Sequence, residues 1–312
     1  MSDSAAFLSD YLAASLRLSV PLAFAALGGL FSERSGVLNI GLEGMLLTGA
    51  FVSAATVFYT GSVWVAILAA LIVGGLVGLL HAYLCVTLRV DQLVSGLAIN
   101  LSAAGLTAFL SRLVFNSKTS QPLQGLDAIA IPGLSQIPIV GSLFFNQDPL
   151  VYLLLLLVPL ITYLLFKTSL GLTLRAVGEY PRAAETAGVS VLFVRYLSVM
   201  LSGCLASLGG AYLVLVHVKF FMEDISAGKG FIALAALIFG RWHPISTVLA
   251  CVLFGATEAL QLRIQAFSLN IPYQFLVMLP YVIALFALIG LAGKSTPPAA
   301  LGIPYVKESL DD

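Results

Sequence analysis

The sequence predicts an all-α polytopic membrane protein, a single transmembrane domain over residues 1–312. Three observations carry that prediction. Of the 312 residues 60% are hydrophobic and only 10% are charged. Soluble domains carry about 25% charged residues, so too few charges remain here to cover a water-facing surface. The apolar residues gather in runs near the length of about 20 that a spanning helix needs. Mean hydropathy is +1.03 over the whole chain. The formal net charge is zero, which argues against a nucleic-acid partner; membrane lipid is the expected surrounding.

The chain opens with MSDSAAFLSDYLAAS, which has Asp3 and Asp10 but no early Lys or Arg. It lacks the basic start and small-residue cleavage site of a signal peptide. Residues 11–31 form the first candidate span. Arg17 and Pro21 fall inside it, so its first part is expected to lie at the interface before the chain enters the membrane. Full-length candidates follow at 36–59, 63–88, 93–115, 150–166, 196–216, 245–262 and 273–291. Residues 230–240 are too short to cross alone. The expected count is eight to ten transmembrane helices.

Lys and Arg concentrate in cytoplasmic loops. The most basic connection is 167–195, with Lys167, Arg175, Arg182 and Arg195 against Glu179 and Glu185. Taking it as cytoplasmic puts Arg34, Arg89 and Arg241 on the same side. It makes 292–312 a cytoplasmic tail and 116–149 an external loop. Nine crossings leave the N-terminus outside, ten leave it inside. Pro297 and Pro298 predict an extended tail. The Pro- and Gly-punctuated external loop predicts short ordered turns.

Glycine is plentiful, at 28 residues. Gly28-Gly29, Gly74-Gly75 with Gly78, and Gly209-Gly210 predict close helix packing. The stretch ERSGVLNIGLEGMLLTGAF at 33–51 adds Gly36, Gly41 and Gly44 as packing positions. Within it, Asn39 and Glu43 stand among apolar residues one helical turn apart. An amide and a carboxylate at that depth need protein or water partners. Two readings are open for Glu43. It is a translocation-pathway residue, or a structural carboxylate bonded to backbone groups freed where glycines break the helix. Asn39 and Asn100 are open in the same way. Glu258, Gln261 and Gln265 form a polar stripe at i, i+3, i+7, which makes Glu258 and Gln261 further pathway candidates. A Gly-rich broken segment followed by a long helix occurs at 36–88 and again at 230–262, a faint repetition of the kind transporters show.

Nothing points to catalysis within the chain. Cys85, Cys204 and Cys251 lie in apolar runs, odd in number and without CxxC spacing, so neither disulfides nor a metal cluster is expected. His81, His217 and His243 are scattered, with no partners at metal-ligand spacing. No GxxxxGK[ST] is present, so the chain carries no P-loop for ATP. No catalytic residue, cofactor or metal site is assigned.

The second informative stretch is GLTLRAVGEYPRAAETAGVS at 171–190. Pro181 suits the first position of a helix and Gly188 a left-handed stop. About two turns fit between them, a length marginal alone in water, so the helix persists only if something packs on it. Glu179, Arg182 and Glu185 follow at i, i+3, i+6, with Ala183, Ala184 and Ala187 elsewhere. Such a ridge suits a groove in another protein; an ordinary solvated loop is the alternative.

SGVLNIGLEGMLLTGAF together with LRAVGEYPRAAETAGVS resembles the permease subunits of bacterial ABC importers. Within the ribose and branched-chain amino acid permease family, it is similar to the branch that serves nucleoside uptake. DQLVSGLAINLSAAGLTAFL at 91–110 also resembles that branch, and the likeness runs from about residue 24 to 291. It implies the helix bundle of type II ABC importers in the bacterial plasma (inner) membrane. The implied partners are a second related permease, an ATP-binding subunit that hydrolyses the ATP, and an extracytoplasmic substrate-binding protein docking on 116–149. Coupling to the ATPase would fall on Glu179, Pro181, Arg182, Glu185 and Gly188. Nucleosides are the implied cargo, with simple sugars and branched-chain amino acids as alternatives. The rival classes are an ion-coupled secondary transporter using Glu43 and Glu258 and an intramembrane enzyme.

Overall fold

The computed structural model describes residues 3–115, 122–133, 135, 137, 140–266, 274–276, 278–279, 281–283, 286 and 296–306. Among them, seven helices are long and apolar enough to cross a membrane. This is below the expected eight to ten. Residues 230–240 form only a short helix, and the candidate at 273–291 falls mostly outside the described residues.

Helix α1 (Asp3–Arg34) runs unbroken through Arg17 and Pro21, so no break separates an interfacial part from a spanning part. Proline removes one N–H, but stopping a helix in lipid would orphan several more backbone groups. α2 (Leu42–Thr60) stops at Gly61, whose left-handed backbone lets its N–H reach the Val57 carbonyl at 2.8 Å. α3 (Val63–Ala82) continues through a π turn over Tyr83–Thr87. α4 (Gln92–Val114) is capped by Asp91, whose carboxylate accepts from the Leu93 and Val94 N–H groups.

The long connection that follows carries short ordered pieces. β1 (Ile129–Ala130) pairs antiparallel with β2 (Asn146–Gln147), Ile129 opposite Gln147, and α5 (Val140–Phe144) lies between them. Asp148 caps α6 (Pro149–Lys167), with proline at the first turn where its missing N–H costs nothing. α7 (Ser169–Glu179) and the six-residue α8 (Pro181–Thr186) follow. α9 (Val191–Tyr212) extends through a second π turn, Leu213–Val218. α10 (Lys229–Phe239) and α11 (Pro244–Ala266) complete the helices that position the site.

α1, α2 and α9 form the centre, where Phe24, Leu27, Leu30, Met45, Leu46 and Tyr212 are buried. α3 turns Leu68, Ile72, Leu76 and Leu80 outward at four-residue intervals. An exposed apolar stripe of that length is lipid-facing in a spanning helix. The glycines of α3 and α9 bring these two helices into backbone contact. A Cβ on Gly203 would lie 2.1 Å from the Gly74 carbonyl oxygen, and one on Gly78 2.5 Å from that of Val199.

Two faces can be distinguished. The Arg34 guanidinium donates to the Trp242 carbonyl, and the Trp242 ring N–H donates to Glu33 at 2.6 Å. The Phe166 ring lies near Arg34, Arg175 and His243. The ends of α1, α6 and α10 therefore share one face with α7. The Tyr11 hydroxyl donates to the Ala256 carbonyl at 2.9 Å, so α1 begins on the opposite face, beside the far end of α11.

Candidate functional site

Between α1 and α2, residues 36–41 are not helical. Inside an apolar bundle every backbone group freed by such a break needs a partner. Side chains from three helices, α1, α3 and α4, supply them. The Ser32 hydroxyl donates to the Val37 carbonyl at 2.7 Å. Gln92 Oε1 accepts from the Leu38 N–H at 2.6 Å, and His81 Nε2 lies 3.1 Å from the Leu38 carbonyl. Asn100 Nδ2 donates to the Ile40 carbonyl at 3.0 Å while its Oδ1 accepts from the Gly44 N–H at 2.7 Å. Asn39 is fully buried; its Nδ2 donates to the Ser202 hydroxyl of α9 at 2.8 Å.

The glycines of this stretch permit close approach. A Cβ on Gly44 would meet the Asn100 backbone at 2.9 Å, and Gly41 faces the Cα of Gly96. Gly36 has φ +89°, and a Cβ there would lie 2.9 Å from the Arg195 guanidinium.

α10 is the second discontinuity. Its 11 residues rise about 16 Å, roughly half the apolar thickness of a bilayer. Its C-terminal end lies beside Arg34, so its N-terminus ends within the bundle. An interior helix start exposes unpaired N–H groups and a positive dipole end. Glu43 meets both. Oε1 accepts from the Gly228 N–H at 2.9 Å and Oε2 from the Gly230 N–H at 2.6 Å. Gly230 is required there, because a Cβ would lie 2.4 Å from the Glu43 backbone nitrogen. Between these two glycines, Lys229 donates to both oxygens of Glu258 at 2.7 and 2.8 Å.

The polar residues singled out from sequence thus divide. Asn39, Glu43 and Asn100 gather at the 36–44 break. Glu258 joins them through the α10 start. Gln261 is half-buried, about one turn further along α11. The sequence reading missed Ser32, His81, Gln92 and Ser202 as fasteners and Gly228–Gly230 as the partner of Glu43. The available signal was the length of 230–240: a segment too short to span has an interior end.

The α8 face is separate. α8 starts at Pro181 and ends where Gly188 takes φ +84° and donates to the Glu185 carbonyl at 2.8 Å. Arg182, Ala183, Thr186 and Ala187 are exposed, and Ala184 is buried. Glu179 is the last residue of α7 rather than part of the α8 ridge. The extended tail expected from Pro297 and Pro298 contains no helix over 296–306, but it is docked. The Ala299 N–H donates to Glu179 Oε2 at 3.2 Å, and the Tyr305 hydroxyl donates to the Glu185 carboxylate. Burial, then that bond, push the Tyr305 hydroxyl up to about 12. Arg195, counted as a loop cation in the sequence, is buried at 1% exposure. Its guanidinium donates to the Ser35 and Ile303 carbonyls at 3.2 Å each. Among the described residues no group of three or more His, Cys, Asp or Glu could hold a metal ion.

Broken helices that meet at the centre of an apolar bundle, with a short exposed helix on one face, define a multi-pass membrane protein of transporter type. Residues 11–294 match the family described as branched-chain amino acid transport system, permease component, and the chain belongs to it. It is the permease component of an ABC importer, a multi-pass protein of the bacterial plasma membrane. Two similar proteins are the guanosine ABC transporter permease protein NupQ of Bacillus subtilis and the nucleoside ABC transporter permease protein NupC of Lactococcus lactis. The first is 40% identical over 315 residues, covering 98% of this chain and 99% of the relative. The second is 40% identical over 300 residues, covering 93% and 94%.

Proposed function

We propose that this permease imports nucleosides, using ATP hydrolysed by a separate subunit that docks on α8. The observation that carries the cargo is the 40% identity, across nearly the full length, to permeases named for guanosine and for nucleosides. The α8 face is then cytoplasmic, with 167–195 as the coupling loop and 292–312 as the tail, and 116–149 is external. A second related permease completes the pore, and an extracytoplasmic binding protein delivers cargo to the external face.

On this reading Glu179, Pro181, Arg182, Glu185 and Gly188 serve ATPase coupling. The exposed small side chains of α8 suit a cleft in the partner. Glu258 and Gln261 border the pathway, whereas Asn39, Glu43 and Asn100, with Gly36, Gly41 and Gly44, hold the broken segment in shape. ATP-driven closure of the partner would displace α8 and swing α1 and α9 with it. The binding protein supplies selectivity, so the permease needs no tight cargo site.

The test is purification from native membranes followed by reconstitution. An ATPase should co-purify, and the complex with its binding protein should take up labelled guanosine in an ATP-dependent manner, in preference to glucose or leucine. Preference for either competitor overturns the cargo. Uptake by this chain alone, driven by a proton or sodium gradient, overturns the class.

A further inference from the structure

We propose that the C-terminal segment 298–306 is a strap that transmits the displacement of α8 into the bundle, with Tyr305 as its positioning residue and Arg195 as its clasp. The proposal rests on reading α8 as the ATPase-docking helix. α8 has six residues and is too short to hold itself in water. By chain connectivity alone it is tied to the bundle through Tyr180 at one end and 187–190 at the other.

The strap adds a second set of attachments. The Ala300 N–H donates to the Gly178 carbonyl at 2.9 Å, at the end of α7. The Tyr305 ring packs with Val177, Ala184 and Val191, so one side chain joins α7, α8 and α9. Its hydroxyl holds Glu185 of α8. The Arg195 guanidinium lies over the same ring at 5.9 Å. Finally, the Gly302 N–H donates to the Gly36 carbonyl at 3.2 Å, where α1 gives way to the broken segment that leads to Glu43.

Arg195 gives the strap a reason to stay docked. A buried guanidinium needs acceptors for its donors. Its described acceptors are the Ser35 and Ile303 carbonyls, one from the end of α1 and one from the strap. Undocking the strap removes the Ile303 acceptor and leaves the Nη1 donor of this buried guanidinium without it. A pull on α8 therefore moves Tyr305, and through Ile303 and Gly302 it reaches Arg195 and Gly36. The α8 ridge and the α1–α2 break become mechanically continuous through residues that lie more than 110 positions from either.

The experiment compares Tyr305→Phe, Tyr305→Ala and a chain ending at Thr296, each as the reconstituted complex with its ATPase. Phenylalanine keeps the ring packing and removes only the hydroxyl bond, so it guards against loss of folding. The readout is cargo transported per ATP hydrolysed, together with hydrogen exchange of the α8 amides. All three should still co-purify with the ATPase. The ratio should fall roughly two- to tenfold in Tyr305→Phe, the factor equivalent to one net hydrogen bond, and further in the other two. Exchange at α8 should quicken in the same order. A purely stabilising role would lower the melting point and total uptake but leave the ratio intact. A wild-type ratio in Tyr305→Phe and Tyr305→Ala overturns the strap. Failure of the docking reading looks different: the wild-type chain itself then brings down no ATPase.

Discussion

Replacing Glu43 by glutamine removes one of the two acceptors that close the N-terminus of α10. The amide keeps the size of the carboxylate and can accept from one of the Gly228 and Gly230 N–H groups. Its NH2 then faces the other, donor against donor. The two bonds lost or weakened are 2.9 and 2.6 Å long in the structure. An orphaned buried donor costs about 1–3 kcal/mol, and the lost charge at a helix N-terminus adds roughly 0.3–2 kcal/mol. Glu43→Ala orphans both donors, at about 2–6 kcal/mol before the charge is counted. Thermal melting of the purified complex in detergent, read beside nucleoside uptake, separates a cap from a pathway charge. The expected order of melting is wild type above Glu43→Gln above Glu43→Ala, with uptake falling in step with the folded fraction. A Glu43→Gln protein that melts like wild type and transports nothing would refute the capping argument, because the charge itself would then be what transport requires.

Three further outcomes follow from the same geometry. Gly203→Ala should lower expression and melting, since its Cβ would lie 2.1 Å from the Gly74 carbonyl oxygen and overpacking costs about 1–3 kcal/mol or more; Gly105→Ala, with nothing within 4 Å of the added carbon, should be neutral in the same assay. Lys229 and Glu258 are 12% and 24% exposed as side chains, so Glu258→Gln strands a largely buried cation. The double variant Lys229→Met/Glu258→Gln should melt above the sum of its single losses, and strict additivity in that cycle would show the pair uncoupled. Burial, then the bond to Glu185, raises the Tyr305 hydroxyl from 10 to about 12 in the folded chain. Its folded value lies above the unfolded one, so its contribution to stability is full below pH 10 and is lost as pH rises through 12. Ultraviolet titration of Tyr305→Phe should lack one phenol near 12, and its stability should fall less steeply than wild type across that window.

Most spans were legible because bilayer thickness sets the length of an apolar run. The candidates at 63–88 and 93–115 agree with α3 plus its π turn and with α4 to within one residue at each end. The first candidate, 11–31, lies within one continuous helix through Arg17 and Pro21, because ending a helix in lipid would orphan more backbone groups than the one N–H that proline removes. The polar site was harder for a different reason. Glu43 had no partner in the sequence because its partners are backbone N–H groups 185 and 187 positions away, and a backbone donor is written in no residue type. Asn100, Gln92 and His81 likewise bond the main chain of 38–44. The tail repeats the pattern. Over the described residues 296–306, Pro297 and Pro298 stand in a segment without helix, yet its docking runs through the Gly178, Gly36 and Ile303 main-chain groups. These breaks are held by side chains reaching for backbone, and the legible trace they leave in a sequence is indirect. A polar residue with no polar neighbour and a helix too short for its membrane are each unexplained alone. Read together, Glu43 and 230–240 account for one another, because a helix that ends inside lipid must have an acceptor at its start.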